Sequence, residues 1–264
     1  MADLLPASLF QNPVWHALNG PHRHLAIGAG SARRYPADVA PFASVAESGD
    51  AAQPGGGAEP GGGAEPGGSA EPGGGAEPGG AARGAEAQRQ LHALLAPGES
   101  LWIAGRPSHP GLTIEQELDC VQMVLSPKAP LPPATDGIVS LTGADAAEMV
   151  ALTDVAFPGF FRAATHRMGQ YCGIRVDGRL VAMAGERLRL EGFPELSGIC
   201  THPEHRGQGY ASALIGHLAA EHRRRGLTSW LHVGAPNTRA IDLYGELGFE
   251  RVRNLTLRRI ARTD

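Results

Sequence analysis

The sequence predicts an α/β (α+β) protein with a mixed, mostly antiparallel central sheet flanked by helices. The first indication is an alternation of strand and helix patterns from Ile138 to Asp264. The second is the dipeptide Asp177-Gly178 between two strand patterns, because this pair favours a tight hairpin and hence antiparallel strands. The third is a glycine-containing turn at 202–211, which joins an apolar strand to an amphipathic helix.

Each element of the region 138–264 follows from hydrophobic periodicity and turn residues. The helix after the turn is indicated by apolar residues that recur at steps of three and four between Ala211 and His222, and Gly226 is its stop signal. The predicted elements are a strand at 138–141, a helix at about 144–156, a short helix near 162–168, strands at 171–176, 179–189 and 195–201, the helix from 211, a strand at 229–233, a helix at 238–247 and a strand at 251–260.

A low-complexity tract divides the chain before Ile138. Pro54–Glu77 consists of four copies of a six-residue unit of proline, glycine, alanine and glutamate, with serine replacing one glycine. Such a composition has no apolar surface to bury. We therefore expect a disordered linker over 47–85.

The segments on either side of this linker, 1–46 and 86–130, have enough apolar residues to form a smaller N-terminal α/β region. Candidate strands lie at 101–104 and 121–125. The prolines between 127 and 133 suggest a hinge into the C-terminal domain, 138–264.

Composition places the chain among globular proteins, since 42% of its 264 residues are hydrophobic. The three cysteines have no paired spacing, so we expect reduced thiols and no metal site. No apolar run is long enough to span a bilayer, no secretory signal is present, and no dense basic stripe suggests nucleic acid. We expect a cytoplasmic protein with neither a membrane nor a nucleic-acid partner.

The turn at 202–211 is typical of an anion site. Gly207 and Gly209 allow close backbone approach, and the following helix directs unpaired N–H groups and its positive dipole end at the ligand. We call the turn at 202–211 and the start of the following helix the anion cradle, and a diphosphate is the ligand that fits it best. Ser212 breaks the dinucleotide pattern G-x-G-x-x-G, and the only lysine, Lys128, is not in a nucleotide-binding G-K-[ST] loop.

At this point the chain resembles the GNAT superfamily of N-acetyltransferases. Arg206-Gly207-Gln208-Gly209-Tyr210-Ala211 matches the acyl-CoA loop R-x-x-G-x-A, and the run from Asn237 to Phe249 matches N-x-x-A-x-x-x-Y-x-x-x-G-F. The resemblance covers about 138–264 and implies a splayed parallel strand pair that admits the pantetheine arm of acetyl-CoA. The residues that it assigns to this cosubstrate are Ile199, Cys200, Thr201, Arg206, Gly207, Gln208, Gly209, Tyr210, Ala211 and Asn237. An N–H near Ile199 or Cys200 would hold the thioester oxyanion.

The same resemblance makes Tyr244 a candidate acid for the departing thiolate, with packing on the sheet as its alternative role. Glu195 and Glu186 are the candidate bases, and either could instead be a solvated strand residue or bind the amine. His202 is expected in a turn or in a water relay. Cys200 is expected to pack, because direct transfer is usual in the family.

The predicted activity is direct transfer of the acetyl group of acetyl-CoA to a primary amine of a small molecule or peptide. The alternatives are a non-catalytic acyl-CoA sensor and an N-acyltransferase that uses a longer acyl-CoA. In some relatives a degenerate second copy of the fold precedes the catalytic domain. The resemblance makes the N-terminal region, which has no R-x-x-G-x-A loop of its own, a candidate for such a copy with a structural or substrate-shaping role.

Overall fold

The computed structural model describes residues 6–47, 78–133 and 135–263. The elements before Ile138 are α1 Ala7–Gln11, α2 Pro13–Asn19, β1 Ala32–Arg34, β2 Ala43–Val45, α3 Pro78–Ala93, β3 Ser100–Ala104 and β4 Leu112–Leu125. The later ones are β5 Ile138–Leu141, α4 Ala146–Ala156, β6 Tyr171–Val176, β7 Arg179–Leu190, β8 Phe193–Thr201, α5 Tyr210–Arg224, β9 Trp230–Gly234, α6 Thr238–Glu246 and β10 Phe249–Arg262. Within the described ranges, no helix has the length and apolar character to cross a membrane.

Eight strands form the central sheet in the order β3-β10-β4-β9-β8-β7-β6-β5. All neighbouring pairs are antiparallel except β8 and β9, which are parallel. The predicted mixed, mostly antiparallel sheet is therefore confirmed. A separate two-stranded sheet pairs β1 with β2.

The hairpin between β6 and β7 forms at the predicted dipeptide. Asp177 and Gly178 both have positive φ, 50° and 79°, as a type I′ turn requires at its two central residues. Val176 pairs with Arg179 directly across the turn.

The strands of the N-terminal region are part of the same sheet as those of the C-terminal half. β4 lies between β9 and β10, with Val121 opposite Val233 and Leu118 opposite Leu257. The expectation of a region set apart from 138–264 is thus corrected, because β4 occupies an interior position of the sheet.

The segment expected to act as a hinge packs against the core instead. Ala129 is buried among core residues, and its carbonyl accepts a hydrogen bond from Arg223 at 3.0 Å. Pro132 lies against Gly216 of α5 so closely that a Cβ there would meet it at 3.0 Å. These contacts fix the connection between β4 and β5 on the helix face of the sheet.

The end of the predicted linker also needs correction. Helix α3 begins at Pro78, inside the range 47–85, whereas residues 48–77 lie outside the described residues. Proline is favoured at the first helical position, and the alanine, glutamine, glutamate and arginine residues that follow are good helix formers. Leu91 and Leu95 then anchor the helix end in a core cluster with Ile103 and Ile260.

Two hydrophobic layers cover the two faces of the sheet. One packs α5 and α6 against the strands and contains Leu214, Leu218 and Ile241. The other packs the N-terminal segment against the opposite face. There the Phe10 and Trp230 rings make an edge-to-face contact with centroids 5.1 Å apart. The N-terminal residues therefore form the layer opposite the helix that follows the glycine turn.

Candidate active site

The parallel pair β8–β9 opens near the centre of the sheet. Glu195 and Trp230 are its one registered pair in the described structure, and the strands separate beyond them. In β8, Gly198 has φ 63° and the register to β7 shifts between Met183 and Gly185. Such a β-bulge bends a strand, which fits the separation. A cavity of about 970 Å³ occupies the gap.

The glycine turn forms one end of this cavity. Gly207 and Gly209 have φ of 82° and 75°, a region that favours glycine. Gly209 caps α5, and the first bond of the helix runs from the Ala213 N–H to the Gly209 carbonyl at 3.0 Å. The N–H groups of residues 210–212 therefore have no carbonyl partner within the helix. The first turn has no acidic residue, so its positive dipole end is uncompensated.

All ten residues assigned to the cosubstrate line this cavity. Asn237 also caps α6, since its Oδ1 accepts a hydrogen bond from the Ala240 N–H at 3.2 Å. Burial raises the pKa of the Cys200 thiol to about 12. A thiol held neutral in this way is a poor nucleophile, which favours the packing role predicted for it.

Tyr244 lies on α6 and lines the cavity with 8% of its surface exposed. Its ring packs against Phe249 with centroids 6.0 Å apart. Burial raises the pKa of its phenol to about 12. The side chain is thus packed and holds a protonated phenol, so its position is compatible with both of the roles that the sequence left open.

Glu195 does not reach the cavity, which corrects the expectation that this side chain faces a substrate cleft. It is fully buried, and Arg187 binds both of its carboxylate oxygens at 3.0 and 2.6 Å. The Leu188 N–H donates to it at 2.9 Å. Burial alone would raise the pKa of this carboxyl group, but Arg187 and His232 outweigh burial and hold the pKa well below its usual range.

The prediction that Glu186 faces a substrate cleft is corrected in the same way. It is fully buried, its Oε1 lies 2.9 Å from His222 Nε2, and it is absent from the cavity lining. Burial would raise the pKa of its carboxyl group, yet His222 and Arg189 lower it overall. The sequence could not show this, because His222 comes from the far end of α5.

His232 is a functional candidate that the sequence analysis missed. It lines the cavity from β9, and its Nδ1 lies 2.8 Å from Glu195 Oε1. Its Nε2 lies 2.9 Å from the amide nitrogen of Gln122, which also donates to the Phe10 carbonyl at 2.9 Å. An amide nitrogen can only donate, so His232 carries its proton on Nδ1 and a lone pair on Nε2. The signal available in sequence was a polar residue between Leu231 and Val233.

His202 lies in the turn before the glycines, as expected. Its donor atoms and those of Glu204 and His205 lie within 4.8 Å of one another, a spacing that resembles a metal site. However, Arg179 donates to His202 Nε2 at 3.0 Å, and the Glu204 N–H donates to its Nδ1 at 3.4 Å. A ring whose two nitrogens both face donors, one of them an arginine, is poorly placed to bind a cation.

Comparison with known proteins identifies the family. A model of the acetyltransferase (GNAT) family matches residues 145–249. The [Ribosomal protein bS18]-alanine N-acetyltransferase of Escherichia coli K12 is 38% identical over 84 residues, which are 31% of this chain and 54% of that protein. The protein of the same name from Salmonella typhimurium LT2 is 33% identical over 129 residues, 47% of this chain and 84% of that protein.

Among solved structures, an acetyltransferase assigned to the GNAT family from Novosphingobium aromaticivorans is 32% identical. The alignment of the two covers 97% of this chain and 99% of the Novosphingobium chain, with a TM-score of 0.75. The chain therefore belongs to the GNAT family of acetyltransferases. It spans about half the length of the first curated relatives that it matches.

Proposed function

We propose that this chain is an N-acetyltransferase that moves the acetyl group of acetyl-CoA directly to a primary amine. The observation that carries the proposal is the cavity in the β8–β9 gap. It extends from the N-terminus of α5 to Tyr244 and His232, so one continuous space contains an anion cradle and two proton-transfer groups.

The cradle suits the diphosphate of the cosubstrate. The free N–H groups at the start of α5 and the open backbone at Gly207 and Gly209 offer donors with no side chain in the way. Arg206 lines the same end of the cavity and adds a positive charge. Beyond Glu195, the β8 edge faces the gap, where the backbone of Ile199 and Cys200 is available to the pantetheine arm and the thioester oxygen.

The amine must lose a proton before its nitrogen can attack the thioester carbon. We assign this proton to Nε2 of His232, which takes it up when the hydrogen bond from Gln122 breaks and frees the lone pair. Glu195 is then a positioning residue, because its carboxylate holds Nδ1–H and fixes the tautomer. This assignment replaces direct proton removal by Glu195 or Glu186.

Attack forms the new carbon–nitrogen bond and breaks the carbon–sulfur bond, so the CoA sulfur leaves with the electron pair. The Tyr244 hydroxyl is the proton donor to this thiolate, since its raised pKa keeps it protonated at neutral pH. The nitrogen that has attacked carries one proton more than the amide; loss of this proton restores the Tyr244 hydroxyl, and the products are an N-acetyl amide and CoA thiol.

The experiment that tests the proposal measures thiol release from acetyl-CoA with a panel of amines, and mass spectrometry of the products. The panel includes a peptide with amino-terminal alanine, because the relatives in Escherichia coli and Salmonella act on such a terminus by name. Amine-dependent release with an acetylated product is expected. Binding of acetyl-CoA without acceleration by any amine would instead favour the acyl-CoA sensor, and faster release from a longer acyl-CoA would favour the other alternative.

A further inference from the structure

One side of the cavity has an apolar wall. Leu118 and Cys120 of β4, Leu257 of β10 and Phe160 line it, and all four belong to or pack against the layer built by the N-terminal segment. Phe157, at the end of α4, completes the wall. This wall lies across the sheet from α5 and α6, so a group bound against it lies on the face opposite the helix that follows the glycine turn.

Two aromatic rings contact Phe160 and hold it in the wall. The Phe160 ring stacks on Phe42 with centroids 6.0 Å apart and an angle of 15°, and it lies 5.3 Å from the Trp102 ring. Both supporting rings precede Ile138 in the chain. The N-terminal region therefore shapes the wall, and the wall is a built surface rather than a loosely placed side chain.

Among the residues that the structure describes, the wall presents no unpaired charge. Arg206, Arg239, Asp242 and Glu246 also line the cavity, but they belong to the glycine turn and α6 on the opposite side. On the wall side, Arg187 is the one charged residue of the described cavity lining. Glu195 neutralises its guanidinium with two hydrogen bonds, and its other face lies over the Phe42 ring at 5.0 Å.

We propose that the acceptor is a monoamine whose amine lies beside an apolar, aromatic-sized group, with no second charge near it. The inference rests on the proposed acetyl transfer and names its substrate class. An apolar group gains from contact with the leucines and phenylalanines of the wall. A second charge there would lose its water without gaining a partner, so polyamines and free amino acids are rejected.

The test compares kcat/KM at saturating acetyl-CoA for phenethylamine, a peptide amide with amino-terminal phenylalanine, a peptide amide with amino-terminal alanine, and spermidine. The two aromatic amines share the required chemistry, and their ratio distinguishes a small molecule from a peptide terminus as the source. We expect at least one of them to exceed spermidine and the alanine peptide by about tenfold or more, the discrimination usual for one apolar group in a pocket.

A matched pair of variants tests the wall itself. Leu118 is partly exposed, so both Leu118→Asp and Leu118→Asn are expected to fold, which circular dichroism and thermal unfolding would verify. The two new side chains have nearly the same shape and differ in charge. We expect Leu118→Asp, relative to Leu118→Asn, to lower the ratio of kcat/KM for phenethylamine to that for spermidine by about tenfold, with KM for acetyl-CoA unchanged.

The outcomes separate this inference from the proposed function. If the chain acetylates spermidine or the alanine peptide at least as well as both aromatic amines, the acceptor class is wrong while acetyl transfer stands. Equal ratios in Leu118→Asp and Leu118→Asn would also overturn the acceptor class. If acetyl-CoA binds but no amine is acetylated, the proposed function fails, and this inference fails with it.

Discussion

The phenol of Tyr244 keeps its proton at neutral pH, because burial raises its pKa to about 12. Tyr244→Phe removes the hydroxyl group and leaves the ring contact with Phe249 intact. If the hydroxyl protonates the leaving thiolate, kcat falls by about 10²-fold or more and KM for acetyl-CoA stays within about twofold. Steady-state thiol release measures both parameters. Turnover equal to that of the wild type would reduce Tyr244 to a packing residue.

His232 is expected to affect the pH dependence of the reaction. His232→Gln removes the imidazole that accepts the amine proton, so the remaining rate should climb with pH toward the pKa of the acceptor. The loss at neutral pH should be about 10²-fold. His217, exposed on α5, supplies the matched control, since His217→Gln should keep the wild-type profile. If His232→Gln and His217→Gln had the same dependence of rate on pH, His232 would be excluded as the base.

The residues that misled the sequence analysis did so for a common physical reason. Glu195 and Glu186 occupy strand positions that are typical of carboxylates facing a cleft, and no local pattern indicates their partners. Arg187 comes from the neighbouring strand and His222 from the end of a helix. The place of Tyr244 beside the cavity was predictable, because its position belongs to a motif in which spacing and residue type are both specific.

Among the elements, the turn that precedes α5 carries the cosubstrate hypothesis. A Cβ at Gly209 would meet no atom of the described residues within 4 Å, so a substitution there acts through the positive φ and through the new side chain in the cradle. Gly209→Val should raise KM for acetyl-CoA about tenfold or more and change kcat little. Gly226, at the other end of the same helix, has φ 70° and equally open surroundings.

Gly226→Val is therefore the matched control for backbone strain. It should lose a similar amount of stability and leave KM for acetyl-CoA unchanged. Equal KM values in the two variants would show that the turn has no special contact with the cosubstrate. Thermal unfolding of both proteins, followed by circular dichroism, would establish that their strain is comparable.

Most elements of 138–264 were predictable because each has its own local signal. β5 and β6 lie where alternating apolar residues predict them, and the hairpin forms at Asp177-Gly178. The position of β4 was not predictable, since its place between β9 and β10 depends on pairing with residues more than 100 positions away. Local periodicity indicates a strand but does not indicate its neighbours.

For the whole molecule, this pairing predicts that the strands before and after Ile138 unfold as one cooperative unit. A fragment that begins at Ile138 would lack β4, and both β9 and β10 would expose unpaired edges. The match of the family to residues 145–249 therefore does not define a fragment that folds alone. Binding and activity should be measured on the full chain.

The N-terminal segment should make stability depend on pH. His22 is buried, with Nδ1 2.8 Å from the Tyr35 hydroxyl and Nε2 2.8 Å from the Met168 carbonyl. Burial lowers its pKa from 6.5 to about 4 in the folded protein. The unfolded chain therefore binds the proton more tightly, and the free energy of unfolding is fully retained above pH 6.5 and falls as the pH drops toward 4.

When the pH is lowered from 7 to 5, protonation of His22 in the unfolded chain should lower the free energy of unfolding by about 2 kcal/mol. Urea denaturation of the wild type and of His22→Gln at both pH values measures it. The variant is less stable at pH 7 and should lose less on acidification. The same loss in both proteins would show that His22 does not cause the pH dependence of the free energy of unfolding.

We propose that the β8–β9 gap and the start of α5 hold acetyl-CoA through its diphosphate. Calorimetric titration of the full chain with CoA, and separately with pantetheine and with adenosine 3′,5′-bisphosphate, tests this binding mode, because these two parts of CoA both lack the diphosphate. We predict that CoA binds at least about 100-fold more tightly than pantetheine, since charge-assisted hydrogen bonds at the helix N-terminus each contribute about 1.5–3 kcal/mol. Equal affinities, or binding of NADH with no heat from CoA, would contradict the account.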